Sequence, residues 1–305
     1  MTAKVWFLNH STRPLWAGSL FEGEQMGSIV TCYPEFWVKE SMTAIIRTLT
    51  LEGTVLAADG RNTGAVDGTV ISDSVQKIFP VATANGTAAY CLCGTVNVIS
   101  DDRLRVVVDI ADEIRKSAES LTNRRTGSLV GYATRLFRPV CTALRDAYEG
   151  GEFSQFASQP TSPFERGDTI LRVYFHEYRD GLPSSVAVRL YQENGKLAEP
   201  EIVTEPLLPI HRTDLPVPRI GGIVLGGREE PTLAAYRQPN IEMTTCTLNL
   251  AIERSRALID AHTDPEAIAI DPLCRTVGGH IHIATITPSE GFKWVVSPLQ
   301  YTEKV

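Results

Sequence analysis

TAIIRTLTLEGTVLAADGR, residues 43–61, decides how the rest of the chain is read. Thr43 to Leu51 is rich in β-branched residues, with Ile45, Ile46, Thr48 and Thr50. Glu52-Gly53 is a turn, and Thr54-Val-Leu-Ala-Ala58 resumes as a strand, so the segment predicts a β-hairpin. Asp59-Gly60-Arg61 closes it, with Asp59 sixteen residues after Thr43.

Downstream, a Gly-rich loop (60–68) leads to a strand over 75–81, and Ala88 to Cys93 reads as a buried strand ending at Gly94. Two apolar stripes at helical spacing follow. Leu104, Val107, Val108, Ala111, Ile114, Ala118 and Leu121 form the first. Leu129, Ala133, Leu136, Phe137, Val140, Leu144 and Ala147 form the second, and Pro139 is expected to kink or divide it. The period then returns to two at Leu171, Val173 and Phe175 and at Val186, Val188 and Leu190, with Asn194-Gly195 as a hairpin turn. A Pro-rich connection (206–218), a glycine cluster (221–227), a short helix near 232–236 and a longer one through Leu248, Ile252, Ser255 and Ile259 come next. Strands over 280–287 and 292–296 end the series. Strands and helix pairs in blocks predict a layered α+β fold, a four-layer α-β-β-α sandwich with two sheets between two helical layers.

Residues 1–42 show no period and are expected to be an extension outside the domain at 43–305, either a mis-assigned start or a removed propeptide. A net charge of −7 and a pI near 5.5 argue against nucleic-acid and anionic-membrane surfaces. No apolar run reaches the roughly 20 residues of a membrane helix. Residues 1–40 lack the apolar core of a signal peptide. Six scattered cysteines suit a reducing compartment, so the expected location is cytoplasmic.

Thr43, the Asp59-Gly-Arg61 segment and Ser72-Asp-Ser-Val-Gln-Lys77-Ile-Phe together resemble the start of a proteasome β-type subunit and of its simpler bacterial relatives. These are N-terminal nucleophile hydrolases. Leu92-Cys-Gly94 and Cys274-Arg-Thr-Val-Gly-Gly279-His-Ile-His-Ile extend the resemblance, which spans roughly residues 43–300 with an insertion between about 195 and 220. It implies a threonine-type amide-bond hydrolase of the four-layer sandwich fold, acting on peptide or unfolded-protein substrates. It also implies a homo-oligomeric ring and an unfoldase partner. By position, Thr43 is the nucleophile, Lys77 the active-site lysine, Asp59 its anchor and Gly94 the oxyanion donor, with Arg61 a structural partner of nearby carbonyls. No metal or cofactor is implied.

The chemistry agrees. A threonine hydroxyl needs a base to take its proton. A free α-amine on the same residue, ordinary pKa roughly 7.7 to 8.0, can serve, whereas an amide nitrogen cannot. Thr43 is therefore expected to become N-terminal, with Met42 as the true initiator removed before a small residue.

The resemblance also has departures. Cys274 stands at the position of an aspartate, Val277 at that of a serine, and Gly226-Gly227 where a Gly-Ser-Gly turn is usual. A small-molecule amidase and a non-catalytic, α-type-like ring subunit retaining residues 1–41 are the alternatives. His280 and His282 lack a third ligand at metal spacing and read as two histidines on a solvated strand face. Cys91 and Cys93, one residue apart, read as buried small hydrophobes. The glycine cluster lacks the Lys-Ser/Thr of a phosphate loop.

Overall fold

A computed structural model describes residues 44–50, 52–63, 69–81, 88–102, 105–121, 128–156, 167–179, 181–205, 219–220, 223–224, 247–270 and 272–299. Thr43, residues 1–42, the Pro-rich connection, the helix expected near 232–236 and most of the glycine cluster, including Gly226 and Gly227, lie outside them.

The opening hairpin forms from β1 (Ile45–Leu49) and β2 (Thr54–Ala58), antiparallel with Ile45 opposite Ala58 and Leu49 opposite Thr54. Its turn is held by Thr50, whose hydroxyl donates to the Gly53 carbonyl at 3.0 Å and accepts the amides of Glu52 and Gly53. A ribbon of β3 (Asn62–Thr63) and β4 (Val70–Ser72) follows, then β5 (Ile78–Val81) and β6 (Ala88–Gly94). A second ribbon pairs β7 (Asn97–Ile99) with β8 (Val106–Asp109). Helices α1 (Ile110–Leu121) and α2 (Leu129–Glu149) come next.

The long hairpin of β9 (Asp168–Arg179) and β10 (Leu182–Glu193) turns at Asn194-Gly195 into β11 (Lys196–Leu197), and β12 (Glu201–Glu205) pairs back on β10. β13 (Arg219–Ile220) and β14 (Ile223–Val224) make a third ribbon. Helices α3 (Leu248–Thr263) and α4 (Pro265–Ile270), a 3-10 turn (Pro272–Thr276), β15 (His282–Thr287) and β16 (Gly291–Val296) complete the described chain.

Two sheets carry the core. One runs β1-β2-β15-β16; the other runs β11-β10-β9-β6-β5, with β12 joined at β10. Strand alternation sends Ile46, Val55, Ala57 and Ile283 to one side of the first sheet, where they pack with Ala251 and Ile259 of α3. Leu56, Ala58, Ala284 and Ile286 point to the other side and share a cluster with Ile78, Ala89, Cys91 and Cys93 of the second sheet. The opposite face of that second sheet packs Phe175 against α2, with its ring 6.1 Å from Tyr132 and 6.2 Å from Phe137. Burying such a side chain contributes about 1.5–3 kcal/mol. The Glu52 carboxylate, in the first hairpin's turn, accepts the Leu248 amide at 2.9 Å and so ties that hairpin to the start of α3.

The four-layer α-β-β-α sandwich expected from the sequence is overturned. The structure is mostly antiparallel β-sheet, 41% strand against 33% helix, with four helices and several separate sheets among the described residues. The pattern reading registered only segments long enough to show a period, and the ribbons β3–β4, β7–β8 and β13–β14 have two to four residues per strand. Nor do the helices make two matched layers: α1 and α2 form a long pair, whereas α3 is followed by a six-residue α4.

Two local expectations change with it. The first helical stripe includes Val107 and Val108, which belong to β8, where Val108 pairs with Val98, and α1 begins only at Ile110. The start of the apparent helical period is therefore partly a strand. Pro139 does not divide α2, which runs unbroken through 21 residues. It lies on the exposed face, where water can satisfy the carbonyl one turn earlier that loses its amide partner.

No helix among the described residues is long and apolar enough to cross a membrane.

Candidate active site

Three chain segments interlock at one end of the first hairpin. The Gly60 amide donates to the Gly278 carbonyl at 3.0 Å and the Val75 amide to the Gly60 carbonyl at 2.8 Å. The His280 amide donates to the Asp73 carbonyl at 2.7 Å. Arg61 fastens all three: its guanidinium forks onto Asp73, at 2.7 Å from Nε to Oδ1, and donates to the Arg275 carbonyl at 2.8 Å. A fixed, planar fork suits this task better than a flexible ammonium. Gly278 has to be glycine here. Its φ is +148°, and a Cβ would lie 2.9 Å from the Arg61 guanidinium carbon.

Asp59 sits at the centre, fully buried. It opposes Ala44 just beyond the last strand pair, and the two are doubly joined. The Asp59 amide donates to the Ala44 carbonyl at 3.1 Å, and the Ala44 amide donates to Asp59 Oδ1 at 2.8 Å. Lys77 Nζ donates to the same oxygen at 2.8 Å. Oδ2 accepts the amides of Gly278 at 3.1 Å and Arg61 at 3.2 Å. Each carboxylate oxygen thus takes two donors, so the hydrogen-bonding capacity of the buried group is filled. The Lys77 ammonium is 4% exposed and donates a second time, to the Arg61 carbonyl at 2.7 Å.

The structure therefore brings Asp59, Lys77 and Arg61 together, and it brings the nitrogen of the Thr43–Ala44 peptide bond onto Asp59. Thr43 lies outside the described residues. Gly94 ends β6 with φ +117°, where a Cβ would come within 2.6 Å of the Ile170 carbonyl oxygen. The Leu92 amide donates to the Lys77 carbonyl at 2.9 Å. By strand alternation the Gly94 amide two residues on faces the same side as that of Leu92.

His282 is the residue the sequence reading missed. Far from lying on a solvated face, it is 1% exposed, and its Nε2 accepts the Lys77 backbone amide at 3.0 Å. Burial, reinforced by the nearby Lys77 charge, pushes its pKa down to about 4. The sequence held a signal: His282 stands between Ile281 and Ile283 and heads a strand, HIATIT, that carries no charged residue. His280 points elsewhere, with Nε2 2.8 Å from the Ser297 carbonyl.

Cys274 and Val277 are both buried, so a thiol and an aliphatic side chain fill the positions where the resemblance led one to look for polar groups. Among the described residues no cluster of three or more His, Cys, Asp or Glu side chains could hold a metal ion.

No protein-family model matches the chain, and a search of curated proteins finds no significant match.

Proposed function

We propose that this chain is an amide-bond hydrolase whose nucleophile is Thr43, exposed as an N-terminus by removal of the residues before it. The observation that supports this is the buried Lys77–Asp59 pair fastened to the Ala44 amide. An ion pair taken out of water is weak ground for stability, because desolvating both charges offsets most of their attraction. Well-packed apolar residues would serve the fold as well or better. A buried ammonium that shares a carboxylate oxygen with the amide of Ala44, the residue after Thr43, has a chemical use once Thr43 carries a free amine.

In this mechanism the free α-amine of Thr43 takes the proton from its own hydroxyl as Oγ attacks the amide carbon. The Lys77 cation lowers the amine's pKa by like-charge repulsion and so raises its free-base fraction. An ammonium has three donors, and Asp59 and Arg61 take two of those of Lys77. The developing oxyanion is received by the Gly94 amide, a donor whose loss typically lowers rate by about 10²–10³. The amine's proton passes to the leaving nitrogen, leaving an ester on Thr43. Water then attacks the ester, giving its proton to the amine, which passes it to the departing Thr43 Oγ as the acid is released, so the hydroxyl and the free amine are both restored.

The resemblance to proteasome β-type subunits extends the proposal to peptide or unfolded-protein substrates, a homo-oligomeric ring, an unfoldase partner and a cytoplasmic setting. The test is N-terminal sequencing of protein purified from its own host, with turnover of a peptidyl-amide reporter by the same sample. A first residue of Thr43 with turnover supports the reading. Turnover by a chain that still carries Met1 contradicts it.

A further inference from the structure

We infer that His282 is a positioning residue for this chemistry: it holds the Lys77 main chain where the lysine side chain meets Asp59. The inference rests on the hydrolytic role proposed for that pair.

Lys77 precedes β5 and is held from two sides. Its carbonyl accepts the Leu92 amide of the second sheet at 2.9 Å, and its amide donates to His282 of the first sheet at 3.0 Å. A backbone amide can only donate, so Nε2 of His282 is unprotonated and any ring proton is on Nδ1. His282 lies opposite Ala58 in the β2–β15 ladder, next to Asp59. One imidazole therefore indexes both partners of the ion pair, Asp59 through the strand register and Lys77 through Nε2. The Trp294 ring meets the imidazole edge-on at 6.2 Å and covers it.

Protonation at Nε2 would place an N–H against the Lys77 N–H and break the tether. The charged and titratable groups around His282 are few. Lys77 and His280 both oppose a positive charge on it, and a hydrogen bond with the His280 backbone works the other way. Asp59 is the register neighbour from β2. The shared cluster with the second sheet presents Cys91, Cys93, Tyr174 and Tyr178, uncharged in their ordinary forms at neutral pH. From β16 come Phe292 and Trp294, which do not titrate.

The test compares His282→Gln, whose amide oxygen can take over the acceptor role, with His282→Leu, which cannot. The rate at which Thr43 reacts with a β-lactone probe is measured over a range from acid, about pH 3.5, to about pH 8. His282→Leu is expected to react roughly ten- to a hundredfold more slowly, and His282→Gln within severalfold of the parent. On the acid side the parent's log rate falls with slope one as the amine protonates, then steepens toward two below about pH 4 as His282 does. In His282→Gln the slope stays at one.

Equal rates in all three proteins, or the same steepening in His282→Gln, overturn the inference. If the parent never labels at Thr43, the hydrolase reading fails on its own, and the Lys77 amide resonance of lysine-labelled protein decides the positioning role. That resonance is expected to titrate near pH 4 in the parent and not in His282→Gln. A Lys77 amide that ignores both pH and substitution removes the tether.

Discussion

Replacing Asp59 by Asn changes one atom and the charge, and the structure makes that change severe. Oδ1 accepts Ala44 N–H and Lys77 Nζ, and Oδ2 accepts the amides of Gly278 and Arg61. Whichever way an asparagine amide is turned, its NH2 faces two donors. The Lys77 ammonium, 4% exposed, is also left without its counter-charge. Breaking a buried pair from one side costs about 3–5 kcal/mol. Domains of this size hold about 5–15 kcal/mol in all, and each kcal/mol moves the melting temperature by about 2–4 °C. Asp59→Asn should therefore lower Tm by about 6–20 °C, with a matching fall in the urea midpoint. Lys77→Met removes the orphaned charge, so the double variant should lose less than the sum of the single variants, by roughly 1–3 kcal/mol. A loss below about 1 kcal/mol for Asp59→Asn, or strictly additive effects, would refute the claim that the two residues form one buried charged unit.

Three further outcomes follow from the same geometry. His282 has an ordinary pKa of 6.5 and one near 4 in the fold, so the unfolded chain binds the extra proton between those values. Stability is then flat above about pH 7 and declines by about 3 kcal/mol as pH falls from about 6.5 to about 4, measurable by urea titrations; a His282→Gln protein that declines equally would contradict this. Gly94→Ala forces a side chain into a left-handed backbone against the Ile170 carbonyl, so it should lose about 1–3 kcal/mol of stability and lower kcat more than KM rises. A Gly94→Ala protein of parental stability and kcat would count against both statements. Thr43→Ser should keep reporter hydrolysis within about a hundredfold, whereas Thr43→Ala should abolish it; residual turnover by the alanine variant would point to another nucleophile.

What the sequence revealed depended on whether the deciding signal was local. The β1–β2 hairpin could be read because apolar alternation, turn and register all lie within residues 44–59. The α2 stripe was equally plain, since nine of its residues are buried at helical spacing. The ribbons were hidden because pairs such as Asn62–Thr63 with Val70–Ser72 are too short to carry a period, and with them went the sandwich expectation. Val107 and Val108 misled for the opposite reason: with Leu104 and Ala111 they fit helical spacing, and only the pairing of Val108 with Val98 places them in β8. At the site, the spacing of Asp59 and Lys77 was visible as a motif, but the amides of Ala44 and Gly278 on the carboxylate were not, because backbone donors have no sequence signature. His282 was misjudged from its neighbour. His280 bonds a carbonyl near the surface, while His282, two residues on, enters the space between Lys77 and Trp294.

The most direct test of the central claim is the intact mass of the native-host protein, before and after a peptidyl epoxyketone, with fragmentation to locate the adduct. Such a probe closes its ring only on a residue that offers a hydroxyl and an adjacent free amine together. The account predicts a chain beginning at Thr43 that gains one probe mass on that residue, and no gain in Thr43→Ala. A probe that leaves the parent mass unchanged, or attaches at any other residue, would contradict it.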